Sequence, residues 1–303
     1  MKTIINGLNA IAGNKLKCNE PLLKHTSFKI GGPAQYFVET DSMDKLKQLV
    51  IYANKKKLKY FIIGKGTNLL VPVTGISGIV VKLKGKFNEF SVNKTEMIAG
   101  PAVKLATLLK ATVENNLSGL EFASGIPGSI GGAIVSNAGT ALGSMKDIVS
   151  WVEIMDSCGR IKNHSAKKIK FSYRNCIIPA GAIITKACLT LRKAKKYDII
   201  SKIRSLTEIR RDTQPSGWNN AGSIFKNPAA GVSAGTLIDR AGLKGARVGN
   251  ALVSSKHANF IINSGNASSA DVLGLIKLIK KEVKTKFGIA LQLEIKILGQ
   301  DDK

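Results

Sequence analysis

The stretch GIPGSIGGAIVSNAG, residues 125–139, constrains this chain more than any other. Five of its fifteen residues are glycine, and most of the rest are small or apolar. So much bare backbone suits an anion cradle, a tight turn into a buried helix, or both. Gly125, Gly128, Gly131 and Gly132 let backbone N–H groups converge and let a diphosphate approach closely. The segment can also open a helix, whose N-terminus favours anions. The plainer alternative is a helix packed on a sheet through small residues. A second loop, FIIGKGTNLLV (61–71), sets Gly64 and Gly66 after an apolar strand. It lacks the lysine-hydroxyl pair of a Walker A loop and the third glycine of a Rossmann fingerprint. Two such loops in one half of the chain favour a dinucleotide held by backbone rather than by charge.

The remaining pattern mixes helix and strand. QYFVET reads as a strand, and the segment after it repeats apolar residues at Met43, Leu46, Leu49, Val50 and Ala53, a helical spacing. KYFII and GIVVKLKG read as strands. PAVKLATLLKATVENN predicts a helix with Pro101 in its first turn. SWVEIMDSCGRI predicts a hairpin, AIITKACLTLRK a strand, and YDIISKIRSLTEIRRDTQP a helix ending near Pro215. Later, Ser233 and Gly242 bracket a short helix and NFIIN is a strand. A long helix carries a Ser268–Asp271 capping box and a Gly288 stop. IALQLEIKILG then alternates, with Ile289, Leu291, Leu293, Ile295 and Ile297 on one face and Glu294 on the other.

At 303 residues the chain can form two or three domains. Its 44% hydrophobic content and few aromatics predict a soluble protein with an aliphatic core. No run of 18 apolar residues occurs, so no membrane insertion is expected. The N-terminus makes a poor signal peptide, and a cytoplasmic location is expected. Four scattered cysteines and three histidines predict reduced thiols and no metal site. The net charge of +26 admits nucleic-acid binding, attraction of a polyanionic substrate, or a merely lysine-rich surface. The lysines are spread out, with no basic patch interleaved with aromatics. No nucleic-acid partner is expected as the primary role.

Eight motifs in order carry a resemblance: HTSFKIGGPA (25–34), GKGTNLLV (64–71), GLEFASGIPGSIGGAIVSNAG (119–139), FSYRNCI (171–177), AGSIFKNP (221–228), LIDRAGLKG (237–245), SSKHANFIIN (254–263) and FGIALQLEIKILG (287–299). Together they resemble the UDP-N-acetylenolpyruvoylglucosamine reductases, also called UDP-N-acetylmuramate dehydrogenases, from about residue 20 to 299. The resemblance implies an α+β protein. An FAD-binding domain of the vanillyl-alcohol-oxidase (PCMH) type, at 20–198 with subdomains near 20–84 and 85–198, would follow an N-terminal segment, 1–19. A C-terminal α+β substrate-binding domain, 199–303, would complete it. The implied cofactors are FAD, with NADPH as hydride donor. Gly64, Gly66, Thr67, Asn68, Leu69, Gly125, Pro127, Gly128, Ser129, Gly131, Gly132, Asn137 and Gly139 would line FAD.

The implied reaction adds a hydride to the enolpyruvyl double bond of a UDP-sugar, giving UDP-N-acetylmuramate for peptidoglycan. Hydride addition at the terminal carbon leaves a carbanion beside a carboxylate. That charge needs stabilising and that carbon needs a proton. On the family pattern Arg174 holds the carboxylate. Ser223 delivers the proton, helped by its neighbours because serine is a weak acid. Glu294 assists. Read alone, these are a surface arginine, a turn serine and a solvated carboxylate. Tyr173 and Asn227 would touch substrate, and Lys226 and Arg240 would face the UDP phosphates. His257 would either sit near substrate or be a hydrogen-bonded structural histidine.

Thr67 stands where the family commonly has serine, Thr74 replaces an aspartate, and Asn250 replaces a glycine; none removes a catalytic group. Ser223 and Glu294 are 71 positions apart. That is short for the family and implies the subgroup lacking a tyrosine-bearing substrate loop. A monomer or weak homo-oligomer is expected. The alternative reading is a related FAD-dependent sugar or alcohol oxidase, because the flavin fold is shared and fold alone does not fix chemistry.

Overall fold

Residues 2–300 are described by the computed structural model. They form two compact units that interleave along the chain. The first takes the chain through Cys18, then Tyr36–Gly64 and Gly78–Ile209. The second takes Asn19–Gln35, Lys65–Ser77 and the chain from Arg210.

The first unit contains α1 (Lys2–Ala12), α2 (Met43–Lys55), α3 (Leu105–Glu114), α4 (Ile130–Val135) and most of α5 (Lys196–Thr213). Ser42 caps α2 by accepting from the Lys45 N–H. Leu46, Leu49, Val50 and Ala53 are buried on one helical stripe, as their spacing predicts. They pack with Leu8 and Ala12 of α1 onto Tyr36, Val38, Ile79 and Val81. Burial of Leu46, Leu49 and Val50 contributes about 1.5–3 kcal/mol each, far more than helix propensity does. The strands beneath are ordered Leu16–Pro21, Pro33–Thr40, Ile76–Leu83 and Tyr60–Ile63, the last pair parallel.

A five-stranded antiparallel sheet follows. Its order is Ile161–Ser165, Val149–Met155, Ile183–Thr190, Glu96–Ala99, Phe90–Asn93. The predicted hairpin is its Val149–Met155 and Ile161–Ser165 pair. Leu105, Leu108 and Ala111 of α3, with Ile130, Ala133 and Ile134 of α4, share a core with Val152, Ile154, Ala187 and Leu189 of this sheet.

One helix boundary differs from the sequence reading. Pro101 is not in the first turn of α3, which begins at Leu105. Lys104 instead forms a β-bridge with Ser129, and the Pro101 carbonyl accepts from Gly131 N–H at 2.9 Å. Long-range pairing to the glycine-rich segment outcompetes a local helical start.

The second unit holds an antiparallel sheet, ordered Asn219–Ser223, Phe260–Asn263, Ala251–Val253, Arg247–Val248. Helices α6 (Ala234–Arg240) and α7 (Ser269–Phe287) pack on it through Leu237, Ile238, Val272, Leu275, Ile276 and Ile279. Both halves of the Ser268–Asp271 capping box form, and Gly288 ends α7 at φ 70°. The C-terminal alternating segment is not one strand. Leu293 bridges Phe225, residue 295 bends, and Lys296–Ile297 pairs in parallel with Leu69–Leu70. The alternation is real, since Leu291 and Ile295 are buried. Two different partners divide it.

Four cysteines are free, two of them buried, and burial pushes the Cys176 thiol up to about 11. Among the described residues no group of three His, Cys, Asp or Glu side chains is placed to hold a metal. No described helix is long and apolar enough to cross a membrane.

Candidate active site

In the first unit Gly64, the first glycine of the FIIGKGTNLLV loop, lies against Ser129 of the glycine-rich stretch. The Tyr60–Ile63 strand ends at Gly64, where a Cβ would come 2.7 Å from Ser129 Oγ. Ser129 is the extended N-cap of α4, and its hydroxyl makes no cap bond. The Ile130 N–H donates to Val103 O and the Gly131 N–H to Pro101 O, both at 2.9 Å. Gly131 is buried, and a Cβ there would lie 2.8 Å from Pro101 Cβ. Gly132 is exposed, and a Cβ there would meet nothing closer than Ser129 Oγ at 3.8 Å. Gly125 and Pro127 are also exposed. Packing and an open glycine surface therefore coexist, residue by residue, in one stretch. Such a surface, with an unspent serine hydroxyl beside Gly64, fits a group held by backbone.

The two helical glycines make a paired prediction. Gly131→Ala forces Pro101 to move, and overpacking outweighs the helix-propensity gain; the apoprotein loses about 1–2 kcal/mol. Gly132→Ala gains up to about 1 kcal/mol from propensity and weakens FAD binding. Denaturant melts of both apoproteins and FAD titrations check the pair.

Upstream, Glu121 is a buried carboxylate that composition did not single out. It accepts from Ser118 Oγ and Gly119 N–H at 2.6 Å each, fixing the turn that leads into residues 125–132. Its only sequence signal is an acid set among apolar residues in GLEFASG.

Arg174 occupies a two-residue turn between Lys170–Ser172 and Asn175–Ile177, where Ser172 pairs with Asn175. Its φ is +55°, an uncommon value for a residue with a bulky side chain. One guanidinium nitrogen donates to Gly139 O at 2.7 Å, and the group lies 5.5 Å from the Tyr173 ring centroid. Tyr173 itself is half exposed. Asn137, buried at φ 41°, donates to Ser172 O at 2.9 Å and accepts from Lys146 N–H at 3.0 Å. The structure thus gathers Asn137, Gly139, Tyr173 and Arg174.

In the second unit Ser223 ends a strand that bulges between Asn220 and Ser223. Gly222 takes φ 78°, and its N–H donates to Asn220 Oδ1 at 2.9 Å, closing the bulge. Beyond it, Ile224 and Phe225 are locked to Asn259: Ile224 N–H donates to its carbonyl, and Phe225 exchanges two bonds with its side chain. Glu294 N–H donates to Ile224 O at 2.8 Å, and Lys226 N–H donates to Gln292 O at 2.9 Å. The chain segment bearing Glu294 thus runs beside the one bearing Ser223 and Lys226. Asn68 joins them: its side chain donates to Glu294 O at 3.2 Å, and its carbonyl accepts from Lys296 N–H at 3.0 Å. Leu69 follows in the strand paired with Lys296. Gly66 packs so closely on His25 that a Cβ would come 2.2 Å from His25 O, and Thr67 O faces Gly222. Ser27, not singled out by sequence although it stands in HTSFKIGGPA, makes contacts of 3.2 Å to Gly66 O and 2.7 Å to Asn220 O. Asn227 Oδ1 accepts from the N–H of Ala234, the first residue of α6.

Two candidates have evident packing roles. Arg240 is exposed, with its guanidinium 5.7 Å from the Phe287 ring centroid. His257 packs edge-on against Phe260 at 4.9 Å, and its Nδ1 accepts from Asn259 N–H at 3.2 Å. Burial, with the Lys244 charge adding, holds its pKa below the ordinary 6.5. The unfolded chain therefore binds this proton at a higher pH than the folded chain does. Stability falls as pH drops below about 6.5. His257→Gln removes that contribution, so its Tm changes less than the wild-type Tm between about pH 7.5 and 5.5.

Comparison with known proteins gives the family. Residues 34–165 match the FAD binding domain family, and residues 214–298 match the UDP-N-acetylenolpyruvoylglucosamine reductase, C-terminal domain family. A UDP-N-acetylenolpyruvoylglucosamine reductase of Caldanaerobacter subterraneus is 46% identical, covering 94% of each chain. One from Clostridioides difficile is 42% identical, covering 98% of each. The crystal structure of the Thermus caldophilus reductase superposes with a TM-score of 0.81 at 34% identity, over 92% of this chain and 97% of that one. A Phl p 4 variant described as a glucose oxidase shares the flavin fold alone, with a TM-score of 0.50 and 14% identity over 64% of this chain and 44% of its own. The class is thus an α+β flavoprotein, with an FAD-binding domain of the vanillyl-alcohol-oxidase type followed by a smaller α+β domain. Within that class, the chain belongs to the UDP-N-acetylenolpyruvoylglucosamine reductase family.

Proposed function

We propose that this protein reduces the enolpyruvyl group of UDP-N-acetylglucosamine enolpyruvate to UDP-N-acetylmuramate, with NADPH as hydride donor, for peptidoglycan precursor synthesis. The observation that carries this reading is the Ser223 bulge, laddered to the Glu294 segment inside the matched reductase C-terminal domain. An oxidase is not favoured, since that domain is the reductase's own. Bound FAD would supply hydride transfer from NADPH to the substrate. It would be held by Gly64, Gly66, Thr67, Asn68 and Leu69 and by Gly125, Pro127, Gly128, Ser129 and Gly132, with Gly131 packed on Pro101 beneath them. Asn137 and Gly139 lie at the end of that second loop.

The remaining chemistry belongs to side chains. The Arg174 guanidinium pairs with the substrate carboxylate and stabilises the negative charge that develops beside it. The Ser223 hydroxyl donates its proton to the carbon that carries this charge. A serine hydroxyl is a poor acid and needs its neighbours' help, and Glu294 on the adjacent ladder step assists alongside Arg174. Tyr173, Lys226 and Asn227 orient the substrate, and Arg240 and His257 support that region. Without a tyrosine-bearing loop, closure over the substrate falls to these residues. The functional division keeps residues 199–303 as the substrate domain. The setting is cytoplasmic, and the working unit a monomer or weak homo-oligomer.

The test is product identity. Purified protein supplied with NADPH and the enolpyruvyl UDP-sugar is expected to oxidise NADPH and yield a product heavier by two hydrogens, carrying a lactyl ether by NMR. Oxygen-dependent turnover of a sugar alcohol, without that product, overturns the reading.

A further inference from the structure

We propose that Asn137 is a positioning residue for Arg174, holding the turn from which that arginine reaches the substrate. The inference rests on the reading of Arg174 as the carboxylate partner.

Two short segments of the first unit, 137–139 and 172–174, are tied at two points. Asn137 Nδ2 donates to Ser172 O at 2.9 Å, fixing the backbone at the start of the turn. The Arg174 guanidinium donates to Gly139 O at 2.7 Å, fixing one arm of the side chain. The arginine therefore hangs between a backbone anchor and a side-chain anchor, both set by the same three-residue segment. That segment is itself held. Asn137 is 5% exposed, and its Oδ1 accepts from Lys146 N–H at 3.0 Å. Gly139 is wedged so tightly that a Cβ would lie 2.5 Å from Gly143 O.

The backbone gives a second reason for a clamp. Arg174 sits at φ +55° and Asn137 at φ 41°. Asparagine enters the left-handed region at little cost, but arginine does so less readily. An unfavourable conformation persists only where its surroundings over-determine it. Ser172 pairs with Asn175 across a turn of only two residues, so a shift at Ser172 passes directly into Arg174. Both ends of the Asn137 amide bond inside the fold, which orients it toward the arginine turn rather than toward a cofactor.

A cation that must match a carboxylate is sensitive to small displacements; misplacement by about 1 Å can cost on the order of 10²-fold in rate. Asn137→Asp tests the clamp in the holoenzyme. It preserves size, left-handed tolerance and the acceptor for Lys146, but sets an acceptor against the Ser172 carbonyl. The expected result is FAD affinity and flavin reduction by NADPH within about threefold of wild type, with substrate reduction slowed by about 10–100-fold and substrate KM raised. Asn137→Gly keeps the backbone geometry and is expected to behave alike, so poor folding of one variant leaves the test standing. In an Arg174→Ala background, Asn137→Asp is expected to cost nothing further, because the residues act as one unit.

An undiminished effect in that background overturns the proposal, as does a loss of FAD affinity with substrate reduction unchanged. So does wild-type turnover by both Asn137 variants while Arg174→Ala is impaired; this outcome leaves the reading of Arg174 intact. If Arg174→Ala alone reduces substrate normally, the underlying reading fails, and the clamp with it.

Discussion

Ser223→Ala is expected to leave reduction of the flavin by NADPH near its wild-type rate and to slow product formation by on the order of 10³–10⁴-fold. The asymmetry follows from the role proposed for the hydroxyl. Proton delivery is needed only after hydride reaches the substrate, so NADPH oxidation in the absence of substrate does not use it. The structure explains how this serine is held. The bulge between Asn220 and Ser223 interrupts the register just before it, Ser223 pairs again with Phe260, and the Asn259 bonds to Ile224 and Phe225 fix the chain just after it. A side chain between a bulge and a locked segment is held in place, as a proton donor must be. Anaerobic stopped-flow measurement of the two half-reactions checks this. Equal losses in both would contradict the proton-donor role.

Arg174→Ala is expected to lower kcat/KM for the enolpyruvyl substrate by on the order of 10²–10³-fold, with flavin content retained. Arg174→Lys is expected to recover only part of that loss. It restores a charge but not the planar fork, and only the fork can bond Gly139 O and the substrate carboxylate in fixed directions. The measurement is a substrate titration of each variant at saturating NADPH. Full activity in the lysine variant would reduce the role of Arg174 to a point charge.

Local features were legible in the sequence. The α2 stripe, the Ser268–Asp271 capping box and the Gly288 stop depend on neighbours within a few positions, and all three form as read. Long-range pairing was not legible. Pro101 reads as a helix start only until Ser129 is known to bridge Lys104. The last alternating segment reads as one strand only until Phe225 and Leu69–Leu70 are known to divide it. The return of Asn19–Gln35 and Lys65–Ser77 into the second unit also has no periodic signal. For the site, residue types carried the chemistry and ordered motifs carried the family. The ladder that brings Glu294 beside the Ser223 segment, and the Asn137 and Ser27 hydrogen bonds, appear only once the chain is folded.

The central claim is a flavin that passes electrons from NADPH to an enolpyruvyl UDP-sugar. The visible absorbance of the purified protein under anaerobic conditions tests it most directly. The expected result is an oxidised-flavin spectrum that bleaches on adding NADPH and returns on adding the enolpyruvyl substrate. A protein that stays colourless after incubation with FAD, or a reduced flavin that the substrate does not reoxidise, contradicts it.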